Sequence, residues 1–170
     1  MWSQVYCTVV YRYHTMKSNN PSHSHGSPYL FIDFCSFSSF LILAVWRRGT
    51  GCHFTRQRCA TQQFLTRLEI FLRVNHIPLH TLRGIAVQTL GGGFTDTRMA
   101  TVYGNMLSRL LTIPIFPITF SFVEKDWKES QVILPRLLEE IFVNMKGRGI
   151  GILSPEYTAE PNITLRRKTT

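Results

Sequence analysis

The residues best placed to do chemistry surround three consecutive glycines. The stretch "GIAVQTLGGGFTDTRMATVY" runs from an apolar, strand-like segment through Gly91–Gly93 into a helix-like pattern. Such a strand, turn and helix can hold a phosphate, because backbone N–H groups and the positive end of the helix face the anion. The turn lacks the Gly-Lys-Ser/Thr ending of a P-loop and the G-x-G-x-x-G spacing. Asp96 also repels a phosphate, so the pattern favours a structural tight turn and leaves an anion site as the alternative.

A few other side chains have types that could take part in chemistry. Cys52, His53 and Cys59 could ligate a metal, but their spacing matches no standard zinc pattern and no fourth ligand lies nearby. No motif supports a Cys–His hydrolase. Arg98 could order the turn through an ion pair or contact an anion. We therefore expect no metal site and no catalytic residue.

The elements that must position these residues begin with three short strands. "YLFIDF", "FLILAVWRR" and "GTGCHFTRQ" predict an antiparallel meander, with turns at "SFSS" and at Gly51. The apolar stretch Tyr29–Trp46 has 18 residues, which is near the lower length of a spanning helix. Asp33, the serines and the aromatic and β-branched residues favour two strands over that helix.

Helical patterns follow the meander. Residues 61–74 have an apolar arc too wide for a helix that only covers a sheet, which indicates deep burial or contact with another chain. "RGIAVQTL" predicts a central parallel strand, and residues 97–111 predict a second helix. "TIPIFPITF" predicts an edge strand. The segment around Pro135 fits a helix or strands, and the proline with the preceding "QVIL" favours strands.

The length, net charge and composition of the chain limit the classes of function that it can have. The chain has 170 residues and a formal net charge of +9, which favours a polyanionic partner such as RNA, DNA or an anionic membrane surface. Residues 1–28 are rich in Ser, Asn, His and Pro and predict a disordered leader. The start shows no secretion-signal pattern, so we expect a cytoplasmic protein with reduced thiols.

A family resemblance becomes visible around the glycines. The segment "IPLHTLRGIAVQTLGGGFTDTRMATVYGNMLSRLLTIPIF" resembles the central part of the TsaB (YeaZ) family, whose strand ends in Gly-Pro-Gly-Ser-Phe-Thr-Gly-Leu-Arg. Gly92, Phe94, Thr95 and Arg98 match that motif, whereas the flanking Gly91 and Gly93 replace Pro and Ser. Upstream, "FIDFCSFSSFLILAVW" is similar to the family's opening strand, with Asp33 at its acidic position.

The resemblance implies a fold and a domain organisation. It implies an α/β protein with a mixed five-stranded sheet and flanking helices, the N-terminal lobe of the actin-like, Hsp70-like ATPase fold, which is ribonuclease H-like. Residues 29–120 would form this lobe. Residues 121–170 would be a shortened remnant of the second lobe followed by a basic tail. Asp33 would mark a vestigial nucleotide site, or simply cap a turn.

The resemblance also implies a function. TsaB-type proteins are non-catalytic scaffold subunits in the modification that attaches threonylcarbamoyl to the adenosine beside the anticodon of tRNA. They pair with a catalytic TsaD-like subunit, and a TsaE-like ATPase joins with ATP; the older glycoprotease label implies no peptidase activity. We expect no bound cofactor, ATP used by the complex, indirect contact with tRNA, no membrane, and a homodimer in isolation.

The family's partner surface is built from the two helices of this lobe. The resemblance assigns that surface to one set of apolar side chains: Phe64, Leu65, Leu68, Leu72, Met99, Tyr103, Met106 and Leu110. Two other classes stay open, namely an ATP-binding enzyme lobe and a basic tRNA-binding module.

Overall fold

The strands of the chain form one mixed sheet. The computed structural model describes residues 11–12, 26–37, 39–119, 127–144 and 151–156. Within these ranges, six strands lie in the order β1-β4-β3-β2-β5-β6. They are β1 (Tyr11–Arg12), β2 (Pro28–Asp33), β3 (Phe40–Arg47), β4 (Gly51–Arg58), β5 (Ile85–Gln88) and β6 (Ile115–Ile118).

The antiparallel half of the sheet is the meander β2-β3-β4. β2 and β3 consist largely of aromatic and aliphatic residues. β3 pairs with β4 along its whole length and with β2 from Ile42 to Arg47. Gly49 and Gly51 take positive φ angles of 82° and 92° at the β3–β4 turn, which side chains rarely tolerate. The prediction of two strands over the stretch 29–46 is confirmed. Among the described residues, no helix combines the length and apolar character needed to cross a bilayer.

The parallel half of the sheet is built through two crossover helices. β5 pairs parallel with β2, and β6 pairs parallel with β5. α1 (Phe64–Val74) precedes β5, and α2 (Phe94–Leu111) connects β5 to β6 and begins three residues before the predicted start. The predicted mixed five-stranded sheet is confirmed, and β1 adds a two-residue strand beside β4. The rest of the predicted leader lies largely outside the described residues.

Helices α1 and α2 cover one face of the sheet. Phe64, Leu68 and Leu72 of α1 pack into a buried cluster with strand residues such as Leu43 and Val87. Gly104 brings α2 close to the sheet, because a Cβ at this position would lie 2.6 Å from Val87 Cγ2. The face is therefore closed by two helices that lie directly on the strands.

A third helix, α3 (Trp127–Asn144), covers the opposite face. Leu134, Leu138 and Phe142 of α3 are buried against the strands, and Phe142 stacks on Tyr29 with ring centroids 4.5 Å apart. The prediction of strands around Pro135 is wrong, because the proline lies inside this helix. A proline removes one helical hydrogen bond, but the burial of a whole apolar stripe outweighs that loss here.

A late segment of the chain returns to α2. The side-chain amide of Asn105 donates to the backbone oxygen of Leu153 at 2.9 Å, and its oxygen accepts from the Leu153 N–H at 2.8 Å. Leu153 is buried in the cluster under α1 and α2. The two hydrogen bonds and the buried side chain fix residues 151–156 against the lobe.

Candidate partner interface and the glycine turn

The glycine turn (Gly91–Gly93) packs against the chain's own backbone. A Cβ on Gly92 would lie 2.7 Å from Cys35 Cα and 2.9 Å from Cys35 Cβ, so only glycine fits there. Gly91 has a φ of 96°, and Gly93 is the extended N-cap of α2. The glycines are therefore explained by close approach to Cys35 at the end of β2.

Asp33 lies beneath this turn and caps the chain that leaves β2. Its Oδ1 accepts hydrogen bonds from the N–H groups of Cys35 at 2.6 Å and Ser36 at 2.9 Å. Its Oδ2 is buried with no hydrogen-bond partner in the described part of the chain. Burial raises the pKa of Asp33, while the hydrogen bonds from Ser36 and Cys35 partly oppose this rise.

Cys35 fills the space in front of the glycine turn. Its thiol donates to the backbone oxygen of Gln88 at 3.3 Å, and the sulfur lies 3.7 Å from Thr97 Oγ1. Burial raises the pKa of the thiol to about 12. The thiolate that a nucleophile requires is therefore scarce at neutral pH.

The other motif residues lie at the start of α2. Phe94, Thr95 and Arg98 are exposed, and Arg98 forms no ion pair with any described residue. Asp96 is partly buried, and this burial raises the pKa of its carboxyl group. The structure thus places a carboxyl group, rather than a basic side chain, closest to the beginning of the helix.

Cys52, His53 and Cys59, which could ligate a metal by residue type although their spacing predicts no site, are not grouped with one another as a metal site. Within the described ranges, no three His, Cys, Asp or Glu side chains lie close enough to share a metal ion. Cys52 is buried, and this burial raises its pKa to about 12.

An open apolar groove lies between α1 and α2. The helix groove has a volume of about 820 Å³, and its rim carries Glu69, Arg73 and His76. Three side chains along it are exposed: Leu65 by 49%, Met106 by 39% and Leu110 by 70%. Its apolar lining consists of Leu65, Leu68, Leu72, Ile77, Pro78, Leu79, Met106, Leu107 and Leu110.

The eight predicted partner residues differ in their exposure and fall into three groups. Phe64, Leu68 and Leu72 are buried, and Phe64 stacks on Tyr103 with ring centroids 4.3 Å apart. Met99 and Tyr103 are partly buried, whereas Leu65, Met106 and Leu110 are exposed. The structure therefore brings Leu65, Leu68, Leu72, Met106 and Leu110 together at the helix groove and places Phe64 in the core beneath it.

The end of the helix groove was missed by the sequence interpretation. Ile77, Pro78 and Leu79 follow α1 and line the groove, although "HIPLHTL" reads as an ordinary loop. The available signal was the run of apolar side chains directly after an apolar helix. Such residues need a surface to pack on, and here they extend the surface of the helix.

The solved structures that are similar to this chain include two from Pseudomonas aeruginosa. YeaZ has 19% sequence identity and a TM-score of 0.52, over 62% of this chain and 52% of the other. An uncharacterized protein with similarity to peptidase YEAZ has 21% identity and a TM-score of 0.49, over 54% and 43%. No family model matches the chain, and no curated protein matches it. The chain spans about half the length of the structures that it matches.

The similarity to YeaZ concerns the fold. It confirms the predicted fold class, a mixed sheet with flanking helices as in the actin-like, ribonuclease H-like fold of YeaZ.

Proposed function

We propose that this chain is a non-catalytic scaffold subunit that pairs with a TsaD-like catalytic subunit in tRNA threonylcarbamoyladenosine synthesis. The observation that carries the proposal is the helix groove, a continuous apolar surface built from α1, α2 and the residues after α1. Large apolar patches of this kind on a folded protein mark sites of protein contact. The YeaZ-like fold and the matched motif residues support the identity of the partner.

The helix groove has the composition of an interface centre. Leu65 and Leu110 offer large apolar side chains, and Glu69 and Arg73 lie at the edge, where charged groups can stay hydrated. Full burial of one such side chain contributes about 1.5–3 kcal/mol. A partner that covers the groove with an apolar helix therefore gains several such contributions.

The glycine turn supports a scaffold over an ATP-binding lobe. Cys35 occupies the space beside Gly92, and Asp96 lies at the helix start where a phosphate would need positive charge. Calorimetric titration of the isolated chain with ATP and Mg²⁺ tests this point, and we expect no heat of binding. Saturable binding of ATP would instead favour the enzyme-lobe alternative.

The docking surface is tested by two matched variants of α1. Leu65 and Val74 are equally exposed, at 49% and 50%, but only Leu65 lines the helix groove. Leu65→Asp should weaken binding to a TsaD-like subunit at least about tenfold, because it removes apolar contact and buries a carboxylate at the interface. Val74→Asp should leave the affinity within about twofold, as expected of a residue outside the interface.

Pull-down followed by interferometry with the purified catalytic subunit gives the measurement. Equal loss of affinity in both variants, or in neither, would contradict the assignment of the helix groove. Gel filtration of the isolated chain adds a second readout: a homodimer that Leu65→Asp dissociates would place the second copy on the same surface.

A further inference from the structure

A second open pocket lies at the end of the sheet opposite the glycine turn. The basic pocket has a volume of about 370 Å³, and its lining includes Ser27, Pro28, Arg47, His80, Thr81 and Arg83. Asp33 and the glycine turn lie where β2 and β5 end, whereas Pro28 begins β2 and Arg47 ends β3. The two sites are therefore separated by the length of the strands.

The backbone fixes two arginines on either side of Pro28. Pro28 pairs with Arg47 in the antiparallel register of β2 and β3. On the other side, the Arg83 N–H donates to the Pro28 backbone oxygen at 2.9 Å. Thr81 Oγ1 donates to the backbone oxygen of Pro78 at 2.7 Å, which closes the short 3-10 turn beside Arg83. Both guanidinium stems thus start from ordered backbone.

The charge of the basic pocket is positive and uncompensated. None of the described residues that line it is acidic, and neither Arg47 nor Arg83 forms an ion pair with a described residue. Arg47 Nε is buried and has no hydrogen-bond partner in the described part of the chain. Buried donors are nearly always paired in folded proteins, so the arginine beside this pocket lacks an acceptor.

We propose that the basic pocket binds phosphate groups of a polynucleotide backbone. Two guanidinium groups present forked N–H donors that match the oxygens of a phosphate, and His80 adds a ring N–H donor. The net charge of +9 attracts a polyanion toward the surface as a whole. The pocket then determines where the backbone is held.

The lining also indicates which part of the polynucleotide is recognised. None of the described residues that line the pocket is Phe, Tyr or Trp, so the pocket lacks the large aromatic rings on which single-stranded bases usually stack. Recognition is therefore of the backbone and not of the base sequence. A free nucleotide would leave its base outside, which favours a strand that can contact further positive charge along the surface.

The basic pocket adjoins the helix groove, since Pro78 lines both. A strand held at Arg47 and Arg83 would pass beside a protein docked on the helices. The phosphate site nevertheless does not depend on that docking, because its residues lie at the end of the sheet.

The test uses the full chain and a fluorescent oligouridylate of twelve nucleotides, followed by anisotropy from low to physiological salt. Arg47→Gln combined with Arg83→Gln should lower the affinity at least about tenfold. The slope of log affinity against log salt should fall in magnitude by about 1.4, as expected when two phosphate contacts in a single strand are lost. Arg83→Gln alone, at an exposed residue, should show part of both effects.

The matched control is Arg98→Gln combined with Arg109→Gln, which removes the same charge from exposed residues of α2. This control should bind the probe within about twofold of the unmodified chain. An equal loss in both double variants would overturn the pocket, because the binding would then reflect diffuse charge. A last measurement adds millimolar inorganic phosphate, with chloride at equal ionic strength as the control. If phosphate displaces the probe and chloride does not, the pocket is a site for free phosphate and the proposal of a polynucleotide ligand is wrong.

Discussion

The two ends of the sheet differ in what occupies them. At one end, the glycine turn and Asp33 are packed against Cys35, and no space remains beside Gly92. At the other end, Arg47 and Arg83 border an open pocket, and none of the described residues that line it is acidic. The conspicuous motif in the sequence therefore marks a closely packed turn, and the residues that border the open pocket carry no motif.

The largest expected effect is at the end of the sheet that carries the glycine turn, which we call the filled end. Gly92→Ala should lower the free energy of unfolding by about 3 kcal/mol, because its Cβ would overlap Cys35 backbone atoms that cannot rotate away. Gly93→Ala is the matched control, since the nearest atom to its Cβ would be Asp96 Oδ2 at 3.5 Å, an ordinary contact. This neighbouring change should cost less than about 1 kcal/mol.

Urea denaturation of both variants measures the difference, with the m-value confirming that the same transition is observed. Equal stability of the two alanine variants would mean that the turn has room beside Gly92. The glycine turn would then not be closely packed, and the two ends of the sheet would no longer differ in the space that they leave for a ligand.

The next effect concerns the buried carboxyl group at the filled end. Burial raises the folded pKa of Asp33 above its ordinary 3.8, so stability is lost as pH rises from that value through the folded pKa. Asp33→Asn keeps an oxygen that can accept from Cys35 and Ser36 but carries no charge. The variant should be more stable than the unmodified chain at pH 7, and the advantage should vanish below the ordinary pKa of the carboxyl group.

Denaturation midpoints at pH 7 and at pH values near 4 provide this measurement. A variant that loses stability at pH 7 would show that the ionised carboxylate is favoured in the folded chain. Asp33 would then be a candidate for holding a cation, and the filled end would again be a candidate ligand-binding site.

The smallest effect is expected at the end of the sheet that carries the basic pocket, which we call the open end. Arg83 is exposed and forms no ion pair with a described residue, so Arg83→Gln should change the free energy of unfolding by less than about 0.5 kcal/mol. Thermal unfolding followed by circular dichroism measures this. A loss above about 1 kcal/mol would show that the guanidinium stabilises the fold, and the open end would then be a structural site as well.

Most of the lobe could be predicted because its patterns are local. The short apolar runs and turn residues between Tyr29 and Arg58 predict the meander, and Pro114 before β6 and Pro117 within it indicate an edge strand. The element around Pro135 could not be predicted in this way. Its helical state depends on the apolar face of the sheet that Leu138 and Phe142 cover, and that face exists only after folding.

The candidate interface was predictable as a region but not residue by residue. Phe64 and Leu65 are neighbours of similar apolar character, yet Phe64 is buried against Tyr103 and Leu65 is 49% exposed. The wide apolar arc of α1 contains both, because one side of it faces the strands and the adjoining side faces the helix groove. The helical period predicts the apolar arc of α1. Only the position of α2 decides which side chains of that arc are buried and which line the helix groove.

The hydrogen bonds between Asn105 and Leu153 have a consequence for synthesis on the ribosome. The strands, α1 and α2 leave the ribosome before Leu153, so the flank of α2 beneath Leu153 stays uncovered until residue 153 has been translated. Chains generally fold from the N-terminus as they emerge, so the nascent sheet and helices pass through a stage with this apolar flank open to water. Docking of residues 151–156 on α2 then follows the formation of that helix.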